Sequence, residues 1–68
     1  MDIVKTVAGN IRKYKNIRKT SYLKIAKKAD IPFATLENII YLRINDIKIT
    51  TLLKIAKALQ VSIDDLVK

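Results

Sequence analysis

The chain contains no cysteine and no histidine among its 68 residues, and only one glycine and one proline. Without cysteine there is no disulfide, and without either residue there is no Cys/His metal site, thiol nucleophile or imidazole base. The scarcity of glycine and proline argues against long loops. Only six carboxylates are present, scattered along the chain, and they form no recognisable acid–base pair. We therefore expect no catalytic residue, no metal and no cofactor.

Long apolar runs are also missing. None approaches the roughly 18 residues that a membrane-spanning helix requires. The N-terminus begins with an acidic residue, Asp2, and lacks the continuous apolar stretch of a secretion signal. These absences predict a soluble cytoplasmic protein. The length predicts one domain, residues 1–68, close to the smallest size that buries a self-sufficient core.

Positive charge is what the chain has in excess. Fourteen basic residues against six acidic ones give a net charge of +8, and nine of the basic residues fall within residues 1–30. Between residues 12 and 28 there are eight cations and no anion: Arg12, Lys13, Lys15, Arg18, Lys19, Lys24, Lys27 and Lys28. Such concentrated charge repels itself and suits a polyanion such as DNA or RNA. The alternative is a lysine-rich surface that only keeps the protein soluble.

Residues 20–41 predict two short amphipathic helices joined by a tight turn. Asp30 tolerates the left-handed backbone that ends a helix, and Pro32 can begin the next helix but cannot prolong the first. This arrangement is typical of the DNA-binding helix-turn-helix, although paired short helices also occur without DNA. The predicted inward residues are Leu23, Ala26 and Ala29, with Ile25 on the adjacent row, and then Leu36, Ile39 and Ile40.

The whole pattern predicts an all-α fold of five helices. We expect them at about residues 3–15, 21–29, 33–42, 50–59 and 63–67. Asp2 is the expected N-cap of the first helix, and Ser62 with Asp65 form the expected capping box of the last. Residues 43–49 alternate between apolar and polar, which is a strand pattern, but a single strand would have no partner here. We interpret them as an extended linker.

The segment LLKIAKALQVSIDDL, residues 52–66, resembles the closing segment of the Cro/phage-repressor helix-turn-helix family. IAKKADIPFATLENI, residues 25–39, fits the two motif helices of that family, and IRKYK, residues 11–15, fits its first helix. The resemblance covers nearly the whole chain and implies a compact five-helix repressor-like domain. It also implies a homodimeric transcriptional regulator that binds specific sequences in double-stranded DNA and, by family habit, represses.

In that family the third helix, here about residues 33–42, lies in the DNA major groove and its N-terminal residues contact base edges. Carried over to this sequence, the base-facing residues are Phe33, Ala34, Glu37 and Asn38, and the phosphate contacts are Tyr22, Arg43 and Lys48. The dimer candidates are Val61, Ile63, Leu66 and Val67, of which the first three fit a core position equally well. Tyr22 could instead stack on the first helix. Phe33 could cover the start of the third helix, and Glu37 could be a solvated acid.

The implied base-facing residues include few hydrogen-bond donors. Phe33 and Ala34 can only pack on thymine methyls or sugars, whereas Glu37 can accept from cytosine and Asn38 can bridge adenine. The sequence therefore predicts weak selectivity or dependence on DNA shape. It also leaves an alternative open: a protein-interaction module, or an antitoxin-type partner binder, that keeps the repressor fold with little sequence-specific DNA binding.

Two other positions depart from the family pattern. Many members bury an Arg–Glu salt bridge where this chain has Lys15 and Ile40, and we expect packing to replace it while Lys15 extends to water. The linker has Leu42 and Ile47 where the family usually has glycine and proline. In this apolar linker we expect two residues to face the core, Leu42 and Ile49, and two to be exposed or to meet a partner, Ile44 and Ile47.

Overall fold

The computed structural model describes residues 2–68, which form five helices and no strand. The helices are α1 (Ile3–Ile17), α2 (Tyr22–Ala29), α3 (Phe33–Ile40), α4 (Ile49–Leu59) and α5 (Ile63–Val67). The all-α prediction is confirmed, and each predicted boundary lies within two residues of the observed one. Residues 43–48 form an irregular linker, as expected.

Side-chain caps begin three of the helices. The Asp2 carboxylate accepts two backbone N–H groups of the first turn of α1, at 3.1 and 3.2 Å, and the Ser21 hydroxyl accepts one from α2 at 3.2 Å. At α5, Ser62 and Asp65 form the predicted capping box, with bonds of 2.9 and 3.1 Å. The backbone N–H of Ser62 stabilises the charged carboxylate and so lowers the pKa of Asp65 below its ordinary value. In contrast, α3 and α4 begin without a side-chain cap.

Left-handed residues follow the ends of four helices, α1 to α4. Their φ angles are 50° at Lys19, 57° at Asp30, 58° at Leu42 and 58° at Gln60. Their turns let the next backbone N–H groups bond to carbonyls of the last helical turn, as Arg43 does to Asn38 at 2.8 Å. Leucine pays a steric penalty in this conformation because its Cβ approaches the following carbonyl oxygen. Leu42 therefore keeps a turn for which glycine is better suited.

The core lies where the five helices meet. α1 packs on α3 and α5, α2 packs on α3 and α4, and α4 packs on α5. Among the residues that are almost completely buried, the largest are Val4, Val7, Ile11, Leu36, Ile39, Ile55 and Leu66. The small buried Ala26 and Ala29 allow neighbouring helices to approach α2 closely. These contacts fix α3 from its inner side and leave its outer side in solvent.

One prediction about which residues of α2 face the core is wrong. Leu23 is exposed, whereas Ile25, Ala26 and Ala29 are buried. Leu23 and Ile25 lie about 200° apart on a helix with 3.6 residues per turn, so both cannot face the core. The buried side of α2 follows Ile25 and the two alanines, and Leu23 is left on the surface.

The prediction for the apolar linker is reversed. Ile47 is only 9% exposed and Ile44 packs against the core, whereas Leu42 and Ile49 are 48% and 58% exposed. The Asp46 carboxylate accepts the backbone N–H of Ile47 at 2.9 Å. Ile44 and Ile47 thus pack on the core, where the sequence pattern favoured Leu42 and Ile49.

Candidate nucleic-acid interface

The turn between α2 and α3 is three residues long. Asp30 adopts the left-handed backbone after α2, and Pro32, with φ −59° and ψ 142°, immediately precedes α3. The backbone N–H of Ile31 donates to the Ala26 carbonyl at 3.1 Å, which closes the end of α2. Both roles predicted for Asp30 and Pro32 are confirmed. A turn this short holds α3 in a fixed orientation against α2.

The N-terminal end of α3 is open to solvent. Phe33 is 40% exposed and Ala34 is exposed, while Glu37 and Asn38 are half-buried. None of these four residues is in the buried core, so the structure leaves them accessible to a ligand. Their contacts with bases stay predictions.

A further residue lies on the outer side of α3. Ala34, Asn38 and Tyr41 recur at i, i+4 and i+7, so they follow one stripe opposite the buried face. Tyr41 is 60% exposed, and the Arg43 guanidinium lies 5.1 Å from the centroid of its ring. Tyr41 is not among the residues that the family resemblance predicts to contact DNA. Its helical spacing from Ala34, already visible in the sequence, would have identified it.

Tyr22 connects α2 to α1. The ammonium of Lys15 lies 4.9 Å from the centroid of the Tyr22 ring, and the ring packs against the core. The stacking alternative for Tyr22 is therefore realised, and a phosphate contact through its hydroxyl stays a prediction. Ile40 is buried and Lys15 is half-buried, in agreement with the expectation that packing replaces the family's salt bridge.

The two cations predicted to contact phosphate lie at opposite ends of the linker between α3 and α4. Both Arg43 and Lys48 are exposed. Lys48 immediately precedes α4, whose first backbone N–H groups donate to no capping side chain. Uncapped N–H groups and a nearby lysine together favour an anion at this point.

The run of eight cations does not form one patch, because the fold directs its members to different neighbours. Arg18 donates from Nε to the Leu59 carbonyl at 3.1 Å and from Nη2 to the Gln60 carbonyl at 3.4 Å, so it caps the end of α4. Lys13 lies near the carboxylate of Asp65 and contributes to lowering its pKa. A sequence count of charge could not reveal this division.

The dimer candidates differ in accessibility. Val61, Ile63 and Val67 are half-buried, but Leu66 is fully buried within the single chain. Leu66 is thus a core residue, which was the alternative interpretation, and it is not available to a second subunit. On α4, Ile49 and Leu53 form an exposed apolar pair at i, i+4 that the sequence prediction did not include.

Two packed short helices, α2 and α3, joined by a three-residue turn, with the outer face of α3 open to solvent, define a helix-turn-helix domain. The chain matches the family model of the Cro/C1-type HTH DNA-binding domain over residues 10–68, and it belongs to this family. It is accordingly a DNA-binding domain of a regulatory type. Comparisons with curated proteins and with solved structures each gave no match. Within residues 2–68, no helix is both long and apolar enough to cross a membrane.

Proposed function

We propose that this protein is a transcriptional repressor that binds specific double-stranded DNA sites as a homodimer, with α3 in the major groove. The observation that carries the proposal is the accessible outer face of α3, which begins at Phe33 and is followed by two exposed cations, Arg43 and Lys48. A helix of this width fits the major groove, and cations beside it can neutralise the flanking phosphates.

The accessible side chains suit a modest level of base discrimination. Asn38 can form a bidentate contact with adenine, and Glu37 can accept a hydrogen bond from cytosine. Phe33 and Ala34 offer only apolar surface to thymine methyls. One good bidentate contact contributes about 1–3 kcal/mol of discrimination. The remaining selectivity would come from the shape and deformability of the DNA.

A homodimer follows from the small size of the site. One helix-turn-helix domain contacts too little DNA for tight specific binding, and two half-sites about one helical turn apart supply the rest. We propose that Val61, Ile63 and Val67, together with the exposed α4 pair Ile49 and Leu53, form the subunit interface. Leu53→Glu should then shift the protein to monomer in analytical ultracentrifugation, whereas Leu23→Glu, at another exposed leucine, should leave the dimer intact.

Selection of bound duplexes from a random pool tests the proposal. The expected sites have two-fold symmetry, and Glu37→Ala should relax the preference at one base pair in each half-site. Asn38→Ala should relax the preference at another base pair. Asn16→Ala, the same substitution at an exposed position on α1, should leave the selected motif unchanged. Sites without symmetry would contradict the dimer, and an unchanged motif in both α3 variants would remove α3 from base recognition.

The alternative function is that of a protein-interaction module, which keeps the fold but does not bind DNA sequence-specifically. The exposed apolar side chains of Leu23, Phe33 and Tyr41 favour it. Titration of random duplex DNA at low salt separates the two functions. The proposed repressor binds and then loses affinity steeply as salt is added, whereas the interaction module shows no binding.

A further inference from the structure

Two adjoining grooves between α2 and α4 are lined by cations and by no residue of α3. The first is lined by Arg18, Lys19, Lys24 and Lys28, and the second by Lys28, Lys54 and Lys57. Gln60 and Lys28 line both grooves, so the two are continuous. We call these six cations the basic strip: Arg18, Lys19, Lys24, Lys28, Lys54 and Lys57.

The charge of the basic strip is one-sided. Asp30 is the only carboxylate that lines either groove, against six of the fourteen cations of the chain. Lys24 and Lys28 are spaced i, i+4 on α2, and Lys54 and Lys57 are spaced i, i+3 on α4, so each pair shares a side of its helix. Cations gathered in this way repel one another unless an anion neutralises them. Solubility alone would be served by interspersed charges of both signs.

The basic strip adjoins the candidate interface without including any residue of α3, because Asp30 and Lys54 of the second groove also line a pocket with Thr35, Ile39 and Lys48. No residue of α3 lines either groove, and neither Arg43 nor Lys48 belongs to them. The position of Arg18 within the strip is fixed by its hydrogen bonds to the end of α4. The first groove, with Lys24 and Lys28, shares no lining residue with that pocket, so a ligand could bind there while α3 is engaged elsewhere.

The chemistry of the strip indicates an extended chain of phosphates. Its five lysines act as point charges, which suit phosphate recognition without sequence preference. The apolar residues that line the grooves, such as Ile25 and Leu59, are buried in the core. A protein partner would instead need exposed apolar or aromatic anchors. The continuity of the two grooves favours a long polyanion over a single phosphate group.

We propose that the basic strip binds the phosphate backbone of a second DNA duplex, so that a molecule bound to one duplex through α3 bridges it to another. This inference rests on the proposed DNA binding by α3. Lysine contacts with phosphate release counterions, and each contributes a slope of about 0.9 to the dependence of log affinity on log salt. Four such contacts predict that bridging weakens about 100-fold between 50 and 200 mM salt.

A capture experiment tests the bridge. The full chain is bound to an immobilised duplex that carries a selected site, and retention of a second, labelled duplex of random sequence is measured. The variant Lys24→Gln/Lys28→Gln/Lys54→Gln/Lys57→Gln should lose this retention while it still binds the immobilised duplex with an unchanged sequence preference. Arg43→Gln/Lys48→Gln is the matched control and should weaken binding to the immobilised duplex. Circular dichroism confirms that both variants are folded.

The outcomes separate this inference from the proposed function. If the wild type fails to bind the immobilised duplex, the proposed function is wrong. If it binds that duplex but captures no second one, the bridging inference alone is overturned. Equal capture by the quadruple variant also overturns it, because a homodimer would then bridge through its two α3 helices. If poly-glutamate displaces the labelled duplex more effectively than unlabelled duplex does, the strip binds an acidic protein and the inference fails.

Discussion

The ammonium of Lys15, in the last turns of α1, lies 4.9 Å from the centroid of the Tyr22 ring at the start of α2. A contact of this type contributes about 0.5–1 kcal/mol at exposed sites and more when it is desolvated, and both side chains here are half-buried. At Ile40, where many family members have a buried acid, the chain places a buried aliphatic side chain that needs no charged partner. Packing and a cation over a ring therefore take the place of a buried ion pair.

Tyr22→Phe separates the two roles considered for this residue. The substitution keeps the ring and its contact with Lys15 but removes the hydroxyl, so the free energy of unfolding should stay within about 0.5 kcal/mol of wild type. DNA affinity should fall about fivefold if the hydroxyl donates to phosphate, since one such hydrogen bond contributes about 1 kcal/mol. Titration of a labelled duplex measures the effect. Tyr14→Phe is the control, and an affinity equal to wild type would assign Tyr22 to packing alone.

Arg18→Lys should destabilise the protein although it conserves the charge. Lysine cannot reproduce the paired bonds that the guanidinium donates to the carbonyls of Leu59 and Gln60 at the end of α4. We expect a loss of about 1 kcal/mol, which lowers the melting temperature by roughly 4–8 °C in a domain of this size. The same exchange at exposed Arg12 should have little effect. Equal melting temperatures for the two variants would show that the α4 cap is energetically unimportant.

Leu42→Gly should stabilise the protein. Leu42 is exposed and has a φ of 58°, a conformation that costs a residue with a Cβ about 1–2 kcal/mol relative to glycine. Part of that gain is offset by the greater freedom of glycine in the unfolded chain, so we expect about 0.5–1 kcal/mol in urea denaturation. Leu42→Ala retains the backbone penalty and should show no gain. A less stable glycine variant would mean that the leucine side chain contributes more than its strained backbone costs.

Ile47→Ala and Ile49→Ala test the observed packing of the linker. Truncating the buried Ile47 leaves a cavity in the core and should cost about 2–4 kcal/mol. Truncating the exposed Ile49 should change the free energy of unfolding by less than about 0.5 kcal/mol at protein concentrations where the chain is monomeric and the proposed subunit interface does not contribute. Chemical denaturation of both variants measures the difference. The reverse order would restore the expectation drawn from the sequence.

Helix positions were predictable because their signals are local. Periodic apolar residues, the Asp2 cap and the pairing of Ser62 with Asp65 each depend on neighbours a few residues away. The left-handed backbone at Asp30 and the helix start after Pro32 were equally predictable from the sequence. These features were sufficient to place the helix-turn-helix before any contact between helices was known.

Burial at the edges of helices was less predictable because it depends on distant partners. Leu23 and Ile25 are both plausible core residues by composition, and only the positions of α3 and α4 decide between them. The same holds for Ile47, which is buried although the sequence pattern favoured Ile49. The cation run likewise looked continuous in sequence, but Arg18 is drawn to α4 and Lys13 to the neighbourhood of Asp65.

The start of α4, which has no side-chain cap, links binding of an anion to the thermal stability of the protein. The protein leaves these amide hydrogens without an internal acceptor, next to the exposed Lys48. An oxygen of a nucleic-acid strand could accept hydrogen bonds from these N–H groups, and only the folded protein presents them together. The thermal stability of the protein should then rise with the fraction that is bound. Melting curves recorded at increasing duplex concentration would report that fraction.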